Sequence, residues 1–269
     1  MFKQITRDDS IFQSEAFQKD SMAFSVMESI LNNKVKYLTP KVFSNGKNCA
    51  IVNSDPNHPV IVWTSDDFKE KAQLYDFIKK EFCDNAPFKI MSKKNFYDGL
   101  VEHQIIPELQ VQTLGVYNCP KLNDIQYIGH PDQAKTEEID HLAQMIADFG
   151  KETGENPNAQ AADCMEAAQK YISNPLCFVW RDKNEKIVAM AKIKTGDATY
   201  SRISQVFTKT DERGKSYAKM LVHYLTSQAL KEGRKVMLFT NYDYRPSNRC
   251  YQKVGYKLNG VIVNFIPLL

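Results

Sequence analysis

The segment from Thr208 to Leu221, TKTDERGKSYAKML, concentrates positive charge around one glycine and then continues into a helical pattern. A turn of this kind before a helix leaves several backbone N–H groups without partners and exposes the positive end of the helix dipole. A phosphate or pyrophosphate would meet those amides, with Arg213, Lys215 and Lys219 adding charge at the rim. The segment therefore predicts an anion site, although basic residues at a helix start also commonly face solvent without a ligand.

Two widespread phosphate-binding patterns are missing from the sequence. A Walker loop requires G-x-x-x-x-G-K-[ST] and a dinucleotide-binding turn requires G-x-G-x-x-G, and neither motif occurs. The formal net charge is only +3, so any basic site must be local. Because no stripe of basic and aromatic residues accompanies the loop, nucleic-acid binding is the least favoured class of function.

The composition is typical of a globular protein with a sizeable core. Of the 269 residues, 43% are hydrophobic and 25% are charged. The six cysteines form no C-x-x-C pair and have no metal-ligand spacing with the five histidines, so we expect reduced thiols and no metal. No apolar run reaches the roughly 18 residues of a membrane span, and the start MFKQITRDDS carries charges where a signal peptide needs an apolar core. The sequence therefore indicates a cytoplasmic protein without a membrane partner.

Hydrophobic periodicity and turn residues predict the order α-α-β-β-β-α-β-α-β for the C-terminal half. The third strand leads into the basic loop, and the long helix after the loop stops at Gly233. Ile203 and Val206 are three residues apart in that strand, a spacing compatible with a β-bulge because regular strands alternate with period two. The segments, in order, are EEIDHLAQMIADFGKE, AADCMEAAQKYI, CFVWR, KIVAMAKIK, RISQVFT, GKSYAKMLVHYLTSQALKEG, RKVMLFT, PSNRCYQKV and YKLNGVIVNFI.

The N-terminal half mixes helices and strands, and no internal repeat is visible in the sequence. Helices are predicted in FQSEAFQKDSMAFSVMESIL and DFKEKAQLYDFIKKEF, and strands in CAIV, PVIVW and LQVQTLGVY. A Cys-Pro turn and polar residues interrupt the pattern at NCPKLND. We therefore expect an N-terminal α/β domain at 1–124 and a second domain at 125–269.

Two segments of the C-terminal half resemble motifs of the GCN5-related N-acetyltransferase (GNAT) superfamily. RGKSYA resembles the family's acetyl-CoA pyrophosphate loop, R/Q-x-x-G-x-G/A, and the strand QVFT precedes it as the family pattern requires. Ala218 fits the last position, whereas Ser216 stands where the family has its central glycine and brings a Cβ close to the phosphates. RPSNRCYQKVGYKL resembles a later family segment in which a tyrosine, here Tyr251, precedes a glycine-aromatic pair.

The resemblance covers residues 125–269 and is greatest to a two-domain, bacterial-type subgroup with an extra N-terminal domain. It implies an α/β (α+β) fold with a GNAT-type mixed, mostly antiparallel sheet flanked by helices. The smaller α/β domain before it is then a candidate for a degenerate acetyltransferase-like half. Acetyl-CoA is implied as co-substrate, without a metal. The residues implied to bind it are Val206, Phe207, Thr208, Arg213, Gly214, Lys215, Ser216, Tyr217, Ala218, Lys219 and Ser247.

The resemblance also implies a reaction. In this family the strand before the loop parts from its neighbour at a bulge and pairs with the pantetheine arm. An amine attacks the thioester directly, and a backbone N–H near Phe207 is implied to stabilise the oxyanion. Tyr251 is implied to protonate the departing CoA thiolate, although by helix position alone a core tyrosine is the commoner case. Asp211 and Glu212 lie before a helix, where acids are commonly dipole partners, so no general base is assigned.

The leading function is an acetyl-CoA-dependent N-acetyltransferase acting on an unidentified small-molecule or peptide amine. The alternative is a non-catalytic CoA-binding regulatory module. Two departures from the family pattern favour the alternative: Ser216, and Tyr244 at a position where the family usually has an asparagine that contacts pantetheine. The motifs do not encode the acceptor, because variable helices and loops set specificity. A homodimer stays open as a further partner.

Overall fold

The computed structural model of the chain contains two compact units. It describes residues 1–32, 40–83, 88–195 and 200–267. The first unit holds residues 1–116, 240–244 and 258–269. The second unit holds residues 117–239 and 245–257. No helix in the described ranges is long and apolar enough to cross a membrane.

The order β-α-α-β-β-β-α-β-α-β occurs twice along the chain. The first set is β1 (Lys3–Gln4), α1 (Glu15–Asp20), α2 (Ser25–Asn32), β2 (Lys41–Ser44), β3 (Cys49–Asn53), β4 (Val60–Thr64), α3 (Lys71–Phe82), β5 (Ile90–Lys93), α4 (Lys94–Glu102) and β6 (Gln112–Asn118). The second set is β7 (His130–Asp132), α5 (Ile139–Thr153), α6 (Met165–Ile172), β8 (Cys177–Arg181), β9 (Ile187–Thr195), β10 (Tyr200–Thr208), α7 (Tyr217–Lys231), β11 (Lys235–Asn241), α8 (Arg245–Val254) and β12 (Lys257–Phe265). The sequence shows no repeat, so the duplication lies in topology rather than in residues.

Strand pairing repeats as well. In the first unit β1 to β4 pair antiparallel in chain order, and β4 then pairs in parallel with β5. In the second unit β7 to β10 pair antiparallel in chain order, and β10 pairs in parallel with β11. The predicted α/β fold with a mostly antiparallel sheet flanked by helices is confirmed. Strand β12 pairs antiparallel with β5. The division into domains at 1–124 and 125–269 stays a prediction.

Several elements differ from those predicted. The segment FQSEAFQKDSMAFSVMESIL forms two helices rather than one, because the chain turns between α1 and α2. The Ser14 hydroxyl caps α1 by accepting a hydrogen bond from the Phe17 N–H at 3.2 Å. Helix α7 begins at Tyr217 rather than at Gly214. The elements β1, β2, β5, β7 and α4 have no predicted counterpart, since such short segments show little periodicity.

Apolar residues of the second unit pack on both faces of its sheet. One core joins α7 to the sheet through residues such as Leu221 and Ile203, and the other joins α5 and α6 to it through residues such as Phe207. Ile203 and Phe207 are four residues apart, so a regular strand would place both on the same face. They face opposite sides because the register of β10 against β9 shifts between Ser204 and Phe207. The bulge that the spacing of Ile203 and Val206 suggested is present.

A buried arginine of β8 holds the start of α5. The Arg181 side chain is 4% exposed, and its two terminal nitrogens donate to the Glu138 carboxylate at 2.7 and 2.9 Å. Its Nε donates to Asp132 at 2.7 Å. The guanidinium N–H groups hold the pKa of Glu138 below its ordinary value. Because a buried charge with several hydrogen bonds has one favoured geometry, this network fixes the residues that lead into α5.

Candidate functional site

Strand β10 leaves its parallel neighbour β11 in the middle of its length. Tyr200–Ile203 pairs with Lys235–Leu238, and the register between these two described strands goes no further. Strand β10 nevertheless continues along β9 to Thr208. Gln205, inside the bulge, has a φ of 51°, a left-handed conformation that is costly for a residue other than glycine. The edge of β10 beyond Ile203 is therefore open for pairing with a ligand.

Two polar atoms near this edge are buried without a partner. Gln205 Oε1 and Thr208 Oγ1 form no hydrogen bond with any residue that the structure describes. Such atoms are rare, because a buried unsatisfied polar group costs about 1–3 kcal/mol. Val206 and Thr208 are half-buried, and Phe207 is buried. The three residues predicted to line the pantetheine arm thus lie along an open strand edge. Polar atoms at this edge have no hydrogen-bond partner among the described residues.

The predicted phosphate loop ends on a helix N-terminus with free amides. Helix α7 begins at Tyr217. The backbone N–H groups of residues 214–219 donate no hydrogen bond to any residue that the structure describes. Gly214 and Ser216 have φ angles of 82° and 68°, in the left-handed region. Turns with such residues form backbone nests, which bind anions through their N–H groups. The predicted residues Gly214 to Lys219 therefore form a continuous cradle at the positive end of the α7 dipole.

We expect the variant Ser216→Gly to be more stable than the wild type by about 0.5–1 kcal/mol. A left-handed conformation costs a residue with a Cβ about 1–2 kcal/mol, and the greater freedom of glycine in the unfolded chain offsets part of the gain. Removing the Cβ also gives phosphates closer access to the loop, so acetyl-CoA should bind at least as tightly. Thermal melts and calorimetry test both effects. The control Ser216→Ala removes the hydroxyl but keeps the strain, and equal stabilisation by both variants would contradict this account.

Carboxylates of the same unit hold two cations of the loop. The Arg213 Nη2 atom lies 2.6 Å from both carboxylate oxygens of Glu152 on α5, and its Nε donates to the Thr208 carbonyl at 3.2 Å. Lys215 Nζ donates to Glu212 at 2.6 Å. Lys219, in the first turn of α7, is half-buried. A pyrophosphate in the cradle would compete with Glu152 and Glu212 for these cations.

Tyr251 and Ser247 lie on α8. Tyr251 is 7% exposed and belongs to the core beneath α7, where its ring centroid is 6.1 Å from that of Tyr256. Burial raises the pKa of the Tyr251 hydroxyl well above its ordinary value. The phenol is protonated at neutral pH, as a proton donor must be, but burial also makes it a weaker acid than an exposed tyrosine. Ser247 is half-buried. The assignment of either residue to the site stays a prediction.

Two other reactive side chains of this unit, Cys250 and His223, are unsuited to catalysis. Burial raises the pKa of the Cys250 thiol to about 11, so at neutral pH it is not the thiolate that a nucleophile requires. His223 has both ring nitrogens engaged: Nε2 lies 3.0 Å from the Asn123 carbonyl and Nδ1 lies 2.6 Å from the Tyr127 hydroxyl. Burial also lowers the pKa of His223. Cys250 is therefore unsuited to act as a nucleophile, and His223 is unsuited to act as a base.

A cleft of about 430 Å³ opens between α5 and the start of the loop after β10. Asp211 on its wall is exposed, and the neighbouring Glu212 binds Lys215. The sequence analysis did not single out the residues of α5 that line this cleft, where Gln144 donates to Asp148 at 2.8 Å. The i, i+3, i+4, i+7 spacing of that wall is the signal that could have found it. The lining residues are His141, Gln144, Met145, Asp148, Lys209, Thr210 and Asp211.

Comparison with known families accounts for this combination of bulge, open strand edge and free helix amides. Residues 142–256 match the acetyltransferase (GNAT) family. This part of the chain is a GNAT domain. The match includes the bulge, the cradle and α8. GNAT membership and the fold support acetyl transfer as the general activity. No protein among the curated sequences matches the chain.

Solved structures with the same fold are distant in sequence. An acetyltransferase from the GNAT family of Colwellia psychrerythraea is 15% identical with a TM-score of 0.59, and the alignment covers 100% of both chains. A GCN5-related N-acetyltransferase from Sphaerobacter thermophilus is 12% identical with a TM-score of 0.63, covering 99% of this chain and 95% of that one. A tandem GNAT protein from the clavulanic acid biosynthesis pathway is 9% identical with a TM-score of 0.50, covering 99% and 98%. At these identities the likeness concerns the fold alone.

Proposed function

We propose that this chain transfers the acetyl group of acetyl-CoA directly to an amine of a small molecule or peptide. The observation that carries the proposal is the junction of two features in one GNAT domain. Strand β10 has an open, bulged edge beyond Ile203, and the free amides of residues 214–219 follow directly after it. A thioester substrate with a long polar arm and a pyrophosphate fits this order of binding groups.

In this proposal the pyrophosphate of acetyl-CoA lies on the N-terminus of α7. The amides of Gly214 to Lys219 donate to its oxygens, and Arg213 and Lys215 exchange their carboxylate partners for phosphate. The pantetheine arm runs along Val206 to Thr208 and pairs with the backbone as an added strand would. Ser247 on α8 completes the binding residues. Ser216 contributes its N–H but keeps its Cβ at the phosphates.

The chemistry follows from the residues at the bulge. The neutral amine attacks the thioester carbonyl, a carbon–nitrogen bond forms, and a backbone N–H near Phe207 stabilises the oxyanion. Collapse of this tetrahedral intermediate then breaks the carbon–sulfur bond and releases the CoA thiolate. The amine nitrogen loses a proton to solvent, and the thiolate takes one from the Tyr251 hydroxyl. Water then restores the proton of Tyr251, so the products are an amide and free CoA.

The first unit is, in this proposal, a degenerate acetyltransferase-like half without a CoA site. Its repeat of the element order and strand pairing supports a common architecture. The connection from β4 to α3 is SDDFKE, which has two aspartates and no glycine, so it would repel a pyrophosphate. Trp63, the first residue of β4 beyond the parallel pairs with β5, is fully buried, and its indole N–H donates to Asp20 at 2.9 Å. The indole therefore packs against α1, where it also contacts the Phe17 ring.

Two measurements on the purified chain test the proposal. Calorimetry should find one acetyl-CoA per chain, because the cradle seen among the described residues lies in the second unit. Incubation with acetyl-CoA and a panel of amines should release free thiol, with the acetylated amine detected by mass spectrometry. Binding without amine-dependent turnover would support the regulatory CoA-binding module instead. Two equivalent CoA sites would contradict the degenerate first half.

A further inference from the structure

Arg202 of β10 lies beside the point where β10 and β11 part. It belongs to the stretch that still pairs with β11, and Ser204, two residues or about 7 Å further along the strand, begins the bulge. Ile203 faces α7, so its neighbour Arg202 projects from the other face of the sheet, the one that α5 and α6 cover. The Arg202 guanidinium lies over the Phe239 ring, 5.9 Å from its centroid.

The guanidinium of Arg202 has no carboxylate partner in the part of the chain that the structure describes. Its neighbours on the adjacent strands are Lys194 on β9 and Met237 on β11, and neither can supply one. Arg202 is half-buried, and this burial lowers its pKa. An arginine that loses water without gaining an acidic partner costs stability, unlike Arg181, whose carboxylates satisfy it.

Lys192 is a second half-buried cation on the same face of the sheet, and it also lies over an aromatic ring. It lies on β9 opposite Ser204, is half-buried, and places Nζ 5.1 Å from the centroid of the Tyr171 ring. No carboxylate lies within ion-pair distance of it among the described side chains. Two stacked cations therefore flank Ser204 at the start of the bulge. Aromatic faces hold such cations in place but leave their N–H groups free for an anion.

We propose that Arg202, assisted by Lys192, binds an oxyanion of the acceptor. The acceptor is then an amine that also carries a carboxylate or a phosphate, rather than a simple alkyl amine or a polyamine. This inference rests on the proposed function, because it places the acceptor on the α5 and α6 face beside the thioester site. Arg202 is a specificity-determining residue in this account, since its planar fork matches two oxygens of either anion.

The test compares matched acceptors in the full-length chain. The common amino acids, their amides, and the pair phosphoethanolamine and ethanolamine are assayed with saturating acetyl-CoA. Binding of the corresponding N-acetylated acids and amides is measured in parallel by the ¹⁵N signals of the arginine side chains. We expect at least one acid, or the phosphate compound, to exceed its uncharged match by about 10- to 100-fold in kcat/KM or affinity, the range of a charge-assisted hydrogen bond. A preference within the amino acid series identifies a carboxylate as the bound group, and a preference for phosphoethanolamine identifies a phosphate.

Variants separate recognition from structure. Arg202→Gln should raise KM for the anionic acceptor and leave that for its uncharged match unchanged, so the preference falls to within about threefold. Arg202→Lys should restore part of the preference for the anionic acceptor. The melting temperature of Arg202→Gln should be no lower than that of the wild type, because a buried charge without a carboxylate is removed. Lys183→Gln, at an exposed position in the β8–β9 turn, is the matched control with an unchanged preference.

Two outcomes would overturn the inference. One is acetyl-CoA binding with no anionic compound acetylated or bound in preference to its uncharged match. The other is an equal effect of Arg202→Gln on both classes of acceptor, which would make Arg202 a structural residue. Failure of acetyl-CoA to bind is a different result, because it rejects the proposed function itself.

Discussion

Replacing Tyr251 with phenylalanine is expected to slow acetyl transfer by about 100-fold or more, the low end of general-acid catalysis. Phenylalanine preserves the ring that packs in the α7 core beside Tyr256 and removes only the hydroxyl. Folding and acetyl-CoA affinity should therefore stay near wild type. Single-turnover rates at saturating acetyl-CoA measure the chemical step, and calorimetry measures the affinity. A loss expressed only as a higher KM would indicate a binding role.

The pH dependence gives an independent test of Tyr251. Burial raises the pKa of its hydroxyl, so the protonated, donating form persists to higher pH than for an exposed tyrosine. We therefore expect no fall in kcat due to Tyr251 below about pH 10, the ordinary pKa of the side chain. A falling limb at about pH 8–9 that disappears in Tyr251→Phe would contradict the buried phenol. A wild-type rate in that variant, with chemistry rate-limiting, would make Tyr251 a packing residue.

Neutralising Arg213 and Lys215 together should weaken acetyl-CoA binding by about 1–3 kcal/mol, or roughly 5- to 150-fold. The double variant Arg213→Gln, Lys215→Gln keeps the free amides of the cradle but removes the charges at its rim. Glu152 and Glu212 hold these cations at 2.6 Å, so part of the phosphate attraction replaces an existing ion pair. Calorimetry at moderate salt measures the change in Kd.

Two matched variants sharpen that result. Glu152→Gln removes the competitor of the phosphate for Arg213, so we expect equal or tighter acetyl-CoA binding. Lys183→Gln combined with Lys186→Gln removes two charges from the exposed β8–β9 turn and should leave the affinity unchanged. If this control weakened binding as much as the rim variant, the effect would be one of net charge. An unchanged affinity in the rim variant would exclude the loop as the phosphate site.

The loop and most elements of the GNAT domain could be predicted from the sequence because their signals are local. RGKSYA carries its own motif, and α5, α7 and β8 to β12 are long enough for hydrophobic periodicity to show. Strand β7 escaped prediction because it has three residues, HPD, one of them a proline. The topological repeat was suggested by the family resemblance and not by a repeat of residues, because strand pairing fixes the topology and pairing does not require similar residues.

The contacts of the site could not be predicted from the sequence for a different reason. Glu152, which holds Arg213, is 61 residues away along the chain, and neither residue alone indicates the other. In the sequence pattern Arg202 is an ordinary polar residue of a strand, and nothing near it indicates a binding role. Among the described residues Arg202 has no carboxylate partner, because the strand register sets Lys194 and Met237 beside it. Such pairings depend on the tertiary structure, so local patterns cannot supply them.

A crystal structure of the chain with acetyl-CoA tests the central claim most directly. The account predicts one molecule per chain, with pyrophosphate oxygens within hydrogen-bond distance of the amides of residues 214–219 and the pantetheine arm paired with β10 beyond Ile203. The thioester carbonyl should lie near the bulge, and Tyr251 within reach of the sulfur. Acetyl-CoA bound in the first unit, or bound in the second unit away from the N-terminus of α7, would contradict it.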